Sequence, residues 1–157
     1  MNFDKPKPFP KLNLLGTPHV MIVEARFYED IGDMLLAGAI AAIEEQGATY
    51  ERFTVPGALE IPAAVEMGVR SVKFDAYLAL GCVIRGGTTH YEIVSGESCR
   101  GLMDLSVQHA LCLGNGILTV ENMEQAIERA DPSQLNKGGS AAFAALKMVE
   151  VEQSLLS

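Results

Sequence analysis

The 157-residue chain is long enough for one domain with a sizeable core, and 48% of its residues are hydrophobic. Twenty acidic residues against twelve Lys and Arg give a net charge of -8 and leave no basic stripe, which argues against nucleic acid as a partner. No apolar run reaches the roughly 18 residues of a membrane helix, the opening prolines stand where a secretory leader needs its apolar core, and Cys82, Cys99 and Cys112 lack Cys-x-x-Cys spacing, so no membrane partner and a cytoplasmic location are expected.

Residues 1–17 read as an irregular arm. The alternation Lys5-Pro6-Lys7-Pro8 resists both helix and sheet centre, so the arm is either disordered or laid across a neighbouring molecule. Residues 18–157 read as a single α/β domain. His19–Ala25 is a β-rich apolar run and the first strand. Glu29 or Asp30 is positioned to cap a helix whose apolar residues Ile31, Met34, Leu35, Ala39, Ala42 and Ile43 recur at helical spacing, and Gly47 ends it. Thr49–Val55 alternates like a second strand. Pro56 to Pro62 is a strand-to-helix turn, with a helix running to about Ser71.

The apolar run Asp75–Ile84 is the third strand, broken by Gly86-Gly87. Thr89-His90-Tyr91-Glu92 has the form of a capping box, so a helix is expected from there to about Leu113. Gly114-Asn115-Gly116 reads as a turn before a short fourth strand, Ile117–Val120. Asn122 to Gln125 is a second capping-box form, opening a helix through Arg129 that Asp131-Pro132 stops. Lys137-Gly138-Gly139 leads into a final Ala-rich helix whose small residues permit close packing.

Strands alternating with helices predict a three-layer α/β sandwich: a central four-stranded parallel sheet with helices on both faces. Ligands in such sheets bind beyond the carboxyl ends of the strands. That rule gathers Phe27, the Ala58-Leu59-Glu60 turn, Arg85 to His90 and Asn115 on one edge. A strand, a Gly-Gly turn and a helix start together suit an anion, because free N–H groups and the helix dipole point out of the turn. Alternatively the glycines simply make a tight turn. His90 in the first helical turn either moves protons, as imidazole does near neutral pH, or is structural. Phe27 either stacks on a planar heterocycle or closes the sheet edge. Glu60 either accepts hydrogen bonds from a polyol or stabilises its helix start. Arg85 is either a ligand-binding residue or, the favoured reading, a solvated strand-end charge. Arg129 either clamps a phosphate or sits as a cation at a helix end, and Lys137 is open to a capping or a phosphate-pairing role. The histidines have no metal-ligand spacing, so no metal is expected.

Taken in order, Arg26-Phe27, Val55 to Pro62, Gly81 to His90, Gly116 to Thr119, Glu124-Gln125-Ala126 with Arg129, and Lys137-Gly138 resemble the lumazine synthase family. The resemblance runs from about residue 19 to the end in one register. It implies a flavodoxin-like fold. It also implies condensation of 5-amino-6-(ribitylamino)uracil with 3,4-dihydroxy-2-butanone 4-phosphate to 6,7-dimethyl-8-ribityllumazine, without metal or organic cofactor. It implies that Phe27 stacks on the pyrimidine and that Ala58, Leu59 and Glu60 hold the ribityl chain. Cys82, Val83 and Ile84 then offer backbone to the ring, Gly87, Thr88, Arg129 and Lys137 hold the phosphate, and His90 moves protons. It implies a homopentamer with sites shared between neighbours, Asn115 coming from the next subunit. Asn115 departs from the usual aromatic, losing a stacking ring but leaving an amide to bond the substrate. Tyr28 replaces a frequent Asn, and Ser140 an acid. The Ala130–Asn136 connection has no glycine, and Pro132 restricts it, which favours an isolated pentamer, or a small stack of pentamers, over a shell. Two other classes share the scaffold: a non-catalytic flavin- or lumazine-binding protein, and a protein whose assembly is its function.

Overall fold

A computed structural model describes residues 7–157. The elements are β1 (His19–Ala25), α1 (Glu29–Glu45), β2 (Thr49–Val55), a 3-10 turn (Ala58–Glu60), α2 (Ile61–Ser71), β3 (Ala76–Ile84), α3 (His90–His109), β4 (Leu113–Val120), α4 (Met123–Ala130) and α5 (Lys137–Leu156). The four strands form one parallel sheet in the order β2-β1-β3-β4.

The pleat sorts the core into two layers. Val20 and Ile22 of β1 and Leu78 and Leu80 of β3 face one way, onto Ile31, Leu35, Ala142 and Leu146 of α1 and α5. Their neighbours Met21, Val23, Tyr77 and Ala79 face the other way, onto Ile61 and Val65 of α2 and Val94 and Leu102 of α3. The predicted three-layer α/β sandwich is therefore the observed fold.

Several local expectations are overturned. Gly114-Asn115-Gly116 is not a turn; it lies inside β4, and Asn115 pairs with Ala79 partway along the strand, not at its carboxyl end. The glycines are there for packing. A Cβ on Gly114 would stand 1.9 Å from the Ala141 carbonyl oxygen, and one on Gly116 would stand 2.8 Å from Leu80 and 2.9 Å from the Ala79 oxygen. Gly138 works likewise at the α1–α5 crossing, where a Cβ would meet the Leu35 oxygen at 2.1 Å. The third helix stops at His109, turned off by Ala110 in the left-handed region, rather than running to Leu113. Helix α1 is entered from Tyr28, and neither Glu29 nor Asp30 caps it; both lie in its first turn. The Thr89–Glu92 capping box does not close, because Glu92 turns to the Arg85 guanidinium instead. The Asn122 form does cap α4: its side chain accepts from the Gln125 N–H at 2.9 Å. Gln125 in turn accepts from the N–H of Glu121, one residue further back than a capping box requires.

The described part of the arm lies on its own chain. Gln46 holds it with two bonds, accepting from the Leu12 N–H and donating to the Pro10 oxygen, both at 2.9 Å. Gln153 does the same at Leu15, at 2.9 and 3.0 Å. Leu12 is buried, and Phe9 stacks on Phe143 at 5.0 Å. The alternating run's Lys5 and Pro6 lie outside the described residues. Among the described residues no helix is long and apolar enough to cross a membrane.

Candidate active site

The carboxyl ends of β1 and β3, the 3-10 turn and the start of α3 enclose a cavity of about 410 Å³. Its walls include Ala25, Phe27, Ala58, Leu59, Glu60, Cys82, Val83, Ile84 and His90. Eight residues expected at the site from the sequence thus line one space, of a size that suits a small ligand. Tyr28, Gly57 and Val94 also line it. Val94 could have been found from the first two turns of α3, since it lies four residues after His90 on the same helix face.

Phe27 projects with 78% of its surface exposed, edge-on to Tyr28 at 4.9 Å. A large ring left open at a cavity mouth is free to stack on a flat ligand. The turn that carries it is pinned by charge. Glu24 is buried, and its two carboxylate oxygens bind Arg26 at 2.8 Å and Arg52 at 2.9 Å. Arg26 also binds Glu29 at 3.0 Å and reaches Asp33. Burial works against the Arg26 charge, but Glu24, Asp33 and Glu29 outweigh it and raise its pKa. A buried carboxylate held by two guanidiniums meets the condition for an ion to stay in a low-dielectric interior. Sequence reading missed Glu24, because nothing local marks one acid in an apolar strand as paired across the sheet.

The Cys82 thiol is pushed up by burial to about 11, so it is neutral near pH 7 and not a nucleophile. From Gly86 to His90 every residue is exposed. Within this loop the Thr88 hydroxyl accepts from the His90 N–H at 3.3 Å. Gly87 has open space where a Cβ would stand, so its backbone is approachable. Arg85 is not a free solvated charge. It binds Glu121 at 2.9 Å and reaches Glu92, and it lies over the Tyr91 ring with the guanidinium carbon 4.2 Å from the centroid. The bond to Arg85 lowers the Glu92 pKa.

Asn115, Arg129 and Lys137 do not line this cavity. They line a second depression, of about 390 Å³, with Thr119 and Ser140 along the outer edge of β4. The strand order separates them: β4 is an edge strand. Arg129 donates there to the Gln125 oxygen at 3.2 Å. The Asn115 amide is already engaged, since its oxygen accepts from the Ile117 N–H at 2.9 Å and its nitrogen donates to the Cys99 sulfur at 3.5 Å.

The model of the 6,7-dimethyl-8-ribityllumazine synthase family matches residues 17–153. The chain belongs to that family. Among relatives carrying that name, a protein of Bartonella tribocorum is 58% identical over 137 residues, covering 87% of this chain and 91% of the relative. One of Methylorubrum extorquens is 57% identical over 158 residues, with 96% and 91% covered. One of Agrobacterium fabrum is 56% identical over 146 residues, with 90% and 99% covered. The lumazine synthase match spans every element that builds the cavity, from β1 to the start of α3, and continues through the second depression into α5.

Proposed function

We propose that this chain condenses 5-amino-6-(ribitylamino)uracil with 3,4-dihydroxy-2-butanone 4-phosphate to give 6,7-dimethyl-8-ribityllumazine, phosphate and water, as a step of riboflavin biosynthesis. The observation that carries the assignment to this site is the cavity at the strand ends, with a flat ring at its mouth and an imidazole at its rim. Phe27 stacks on the pyrimidine. Ala58, Leu59 and Glu60 hold the ribityl chain, and the backbone of Cys82, Val83 and Ile84 meets the ring edge. Gly87 and Thr88 face the phosphate. The substrate amine attacks the ketone to give a carbinolamine, which loses water to an imine. Loss of the proton at C3 then expels phosphate from C4, the enol so formed tautomerises to a new ketone at C3, and attack of the ribitylamino nitrogen on that ketone closes the ring with loss of a second water. His90 takes and returns protons in these steps. Holding two substrates in one cavity contributes much of the rate. The three thiols are free, which suits a cytoplasmic enzyme. Mixing the two substrates with the purified protein tests the reading: the lumazine chromophore is expected to grow in proportion to enzyme, and its absence refutes the assignment.

In this reading the enzyme is a pentamer, and Asn115, Arg129 and Lys137 of one copy complete the cavity of the next. Two features support it. The phosphate-binding cations line a depression apart from His90. Helix α3 also leaves Ile93, Met103 and Val107 exposed, an apolar surface that a lone chain would show to water. The arm docked on its own chain favours an isolated pentamer over a shell. The α4–α5 connection, though free of glycine, does reach the left-handed region at Asn136, with φ of 48°. Sedimentation velocity is expected to show a single species of five chains. A dominant megadalton particle refutes the isolated pentamer, and an active monomer refutes the shared site.

A further inference from the structure

The Gly86–Thr89 loop has no buried residue to fix its shape, so its conformation is set at its ends. Arg85 holds both ends. Its backbone N–H donates to the Val120 oxygen at 2.9 Å, continuing the sheet. Its side chain crosses the loop to Tyr91 and Glu92 in the first turn of α3, and to Glu121 just after β4. Three elements are thereby tied at one guanidinium. The same contacts place two carboxylates beside a loop assigned to a phosphate. Alone, they would oppose a dianion; the guanidinium between them offsets about half of that charge.

We propose that Arg85 is a positioning residue for the phosphate half of the site, stapling the two ends of the Gly86–Thr89 loop and offsetting the charges of Glu92 and Glu121. This rests on the assignment of the phosphate to Gly87 and Thr88. Arg85 itself need not touch the substrate: the role is carried by its Nε bond to Glu121 and its Nη1 bond to Glu92.

The test compares Arg85→Ala with Arg129→Ala in steady-state assays that vary each substrate separately. Arg85→Ala is expected to raise KM for the butanone phosphate about tenfold, the sum of two modest exposed pairs, with KM for the pyrimidine unchanged. The defect is expected to shrink at high ionic strength, where repulsion is screened. Adding Glu92→Gln and Glu121→Gln to Arg85→Ala is expected to recover the part of the affinity lost to the two uncompensated carboxylates, a rescue that loss of structure alone would not give. If Arg129→Ala raises the phosphate KM and Arg85→Ala does not, the staple is refuted. If neither variant shifts it, the phosphate assignment has failed and the staple with it. An equal loss for both substrates, or no recovery in the triple variant, also refutes the proposal. Should Arg85→Ala not fold, Arg85→Lys gives the test: it keeps the charge but loses the fork that spans Glu121 and Glu92, so the phosphate KM is expected to rise about threefold with the pyrimidine KM unchanged, and an unchanged phosphate KM refutes the role.

Discussion

Replacing His90 with alanine is expected to slow single-turnover lumazine formation by about a hundredfold, near 3 kcal/mol of barrier. The reasoning starts from position. His90 opens α3 at the rim of the cavity, next to the loop assigned to the phosphate, and it is exposed. Carbinolamine formation, dehydration and ring closure each move protons, and an imidazole can both take and give them. Exposure limits the loss, because water reaches the same place and substitutes in part. The effect therefore belongs at the lower end of general acid–base contributions. Affinity for a ribityl-pyrimidine analogue is expected to stay within about twofold, since the imidazole adds little contact area. A single-turnover rate equal to the parent's removes His90 from the mechanism.

Gly114→Ala is expected to be the most damaging single methyl in the sheet. The new Cβ would stand 1.9 Å from the Ala141 oxygen and 2.8 Å from the Ala141 carbonyl carbon. Those are backbone atoms of α5, so no rotamer change relieves the clash. The helix must move away from β4, and Gly138, wedged on the Leu35 backbone of α1, allows no free direction. Overpacking ordinarily costs about 1–3 kcal/mol, and a backbone clash puts this case at or above the top of that range. For a domain of this size that is a fall of roughly 6–12 °C in Tm by calorimetry. An unchanged Tm would show that α5 slides freely on β4.

The fold was legible because its signals are local. β-rich runs bounded by glycine and proline gave the strands, and helical spacing from Ile31 to Ile43 gave α1. Several of the misreadings come from a partner that the local pattern does not show. Gly114 and Gly116 look like turn residues until α5 is laid across them. Glu92 looks like a capping acid until Arg85, seven residues earlier, offers it a charged bond. Asn115 was placed on the ligand edge because position along the chain says nothing about position along a strand. The site divides the same way. Phe27, Glu60 and His90 sit just past strand ends, where the topology rule applies. Arg129 and Lys137 belong with Asn115 because β4 is the edge strand, and strand order cannot be read from periodicity.

The arm's attachment has a consequence for how the chain is made. Its outer clasp joins residues 13 and 15 to Glu150 and Gln153, 137 and 138 positions away. Synthesis proceeds from the amino end, so the arm emerges before the elements it docks on. Gln46 can receive Pro10 and Leu12 once α1 has formed, but the second clasp has no partner until α5 has left the ribosome. The arm therefore spends translation half-docked, and the Pro8 and Pro10 that keep it from pairing as a strand also protect the nascent sheet from joining to another chain through it. Closing the Leu15–Gln153 pair therefore has to wait for α5 to emerge.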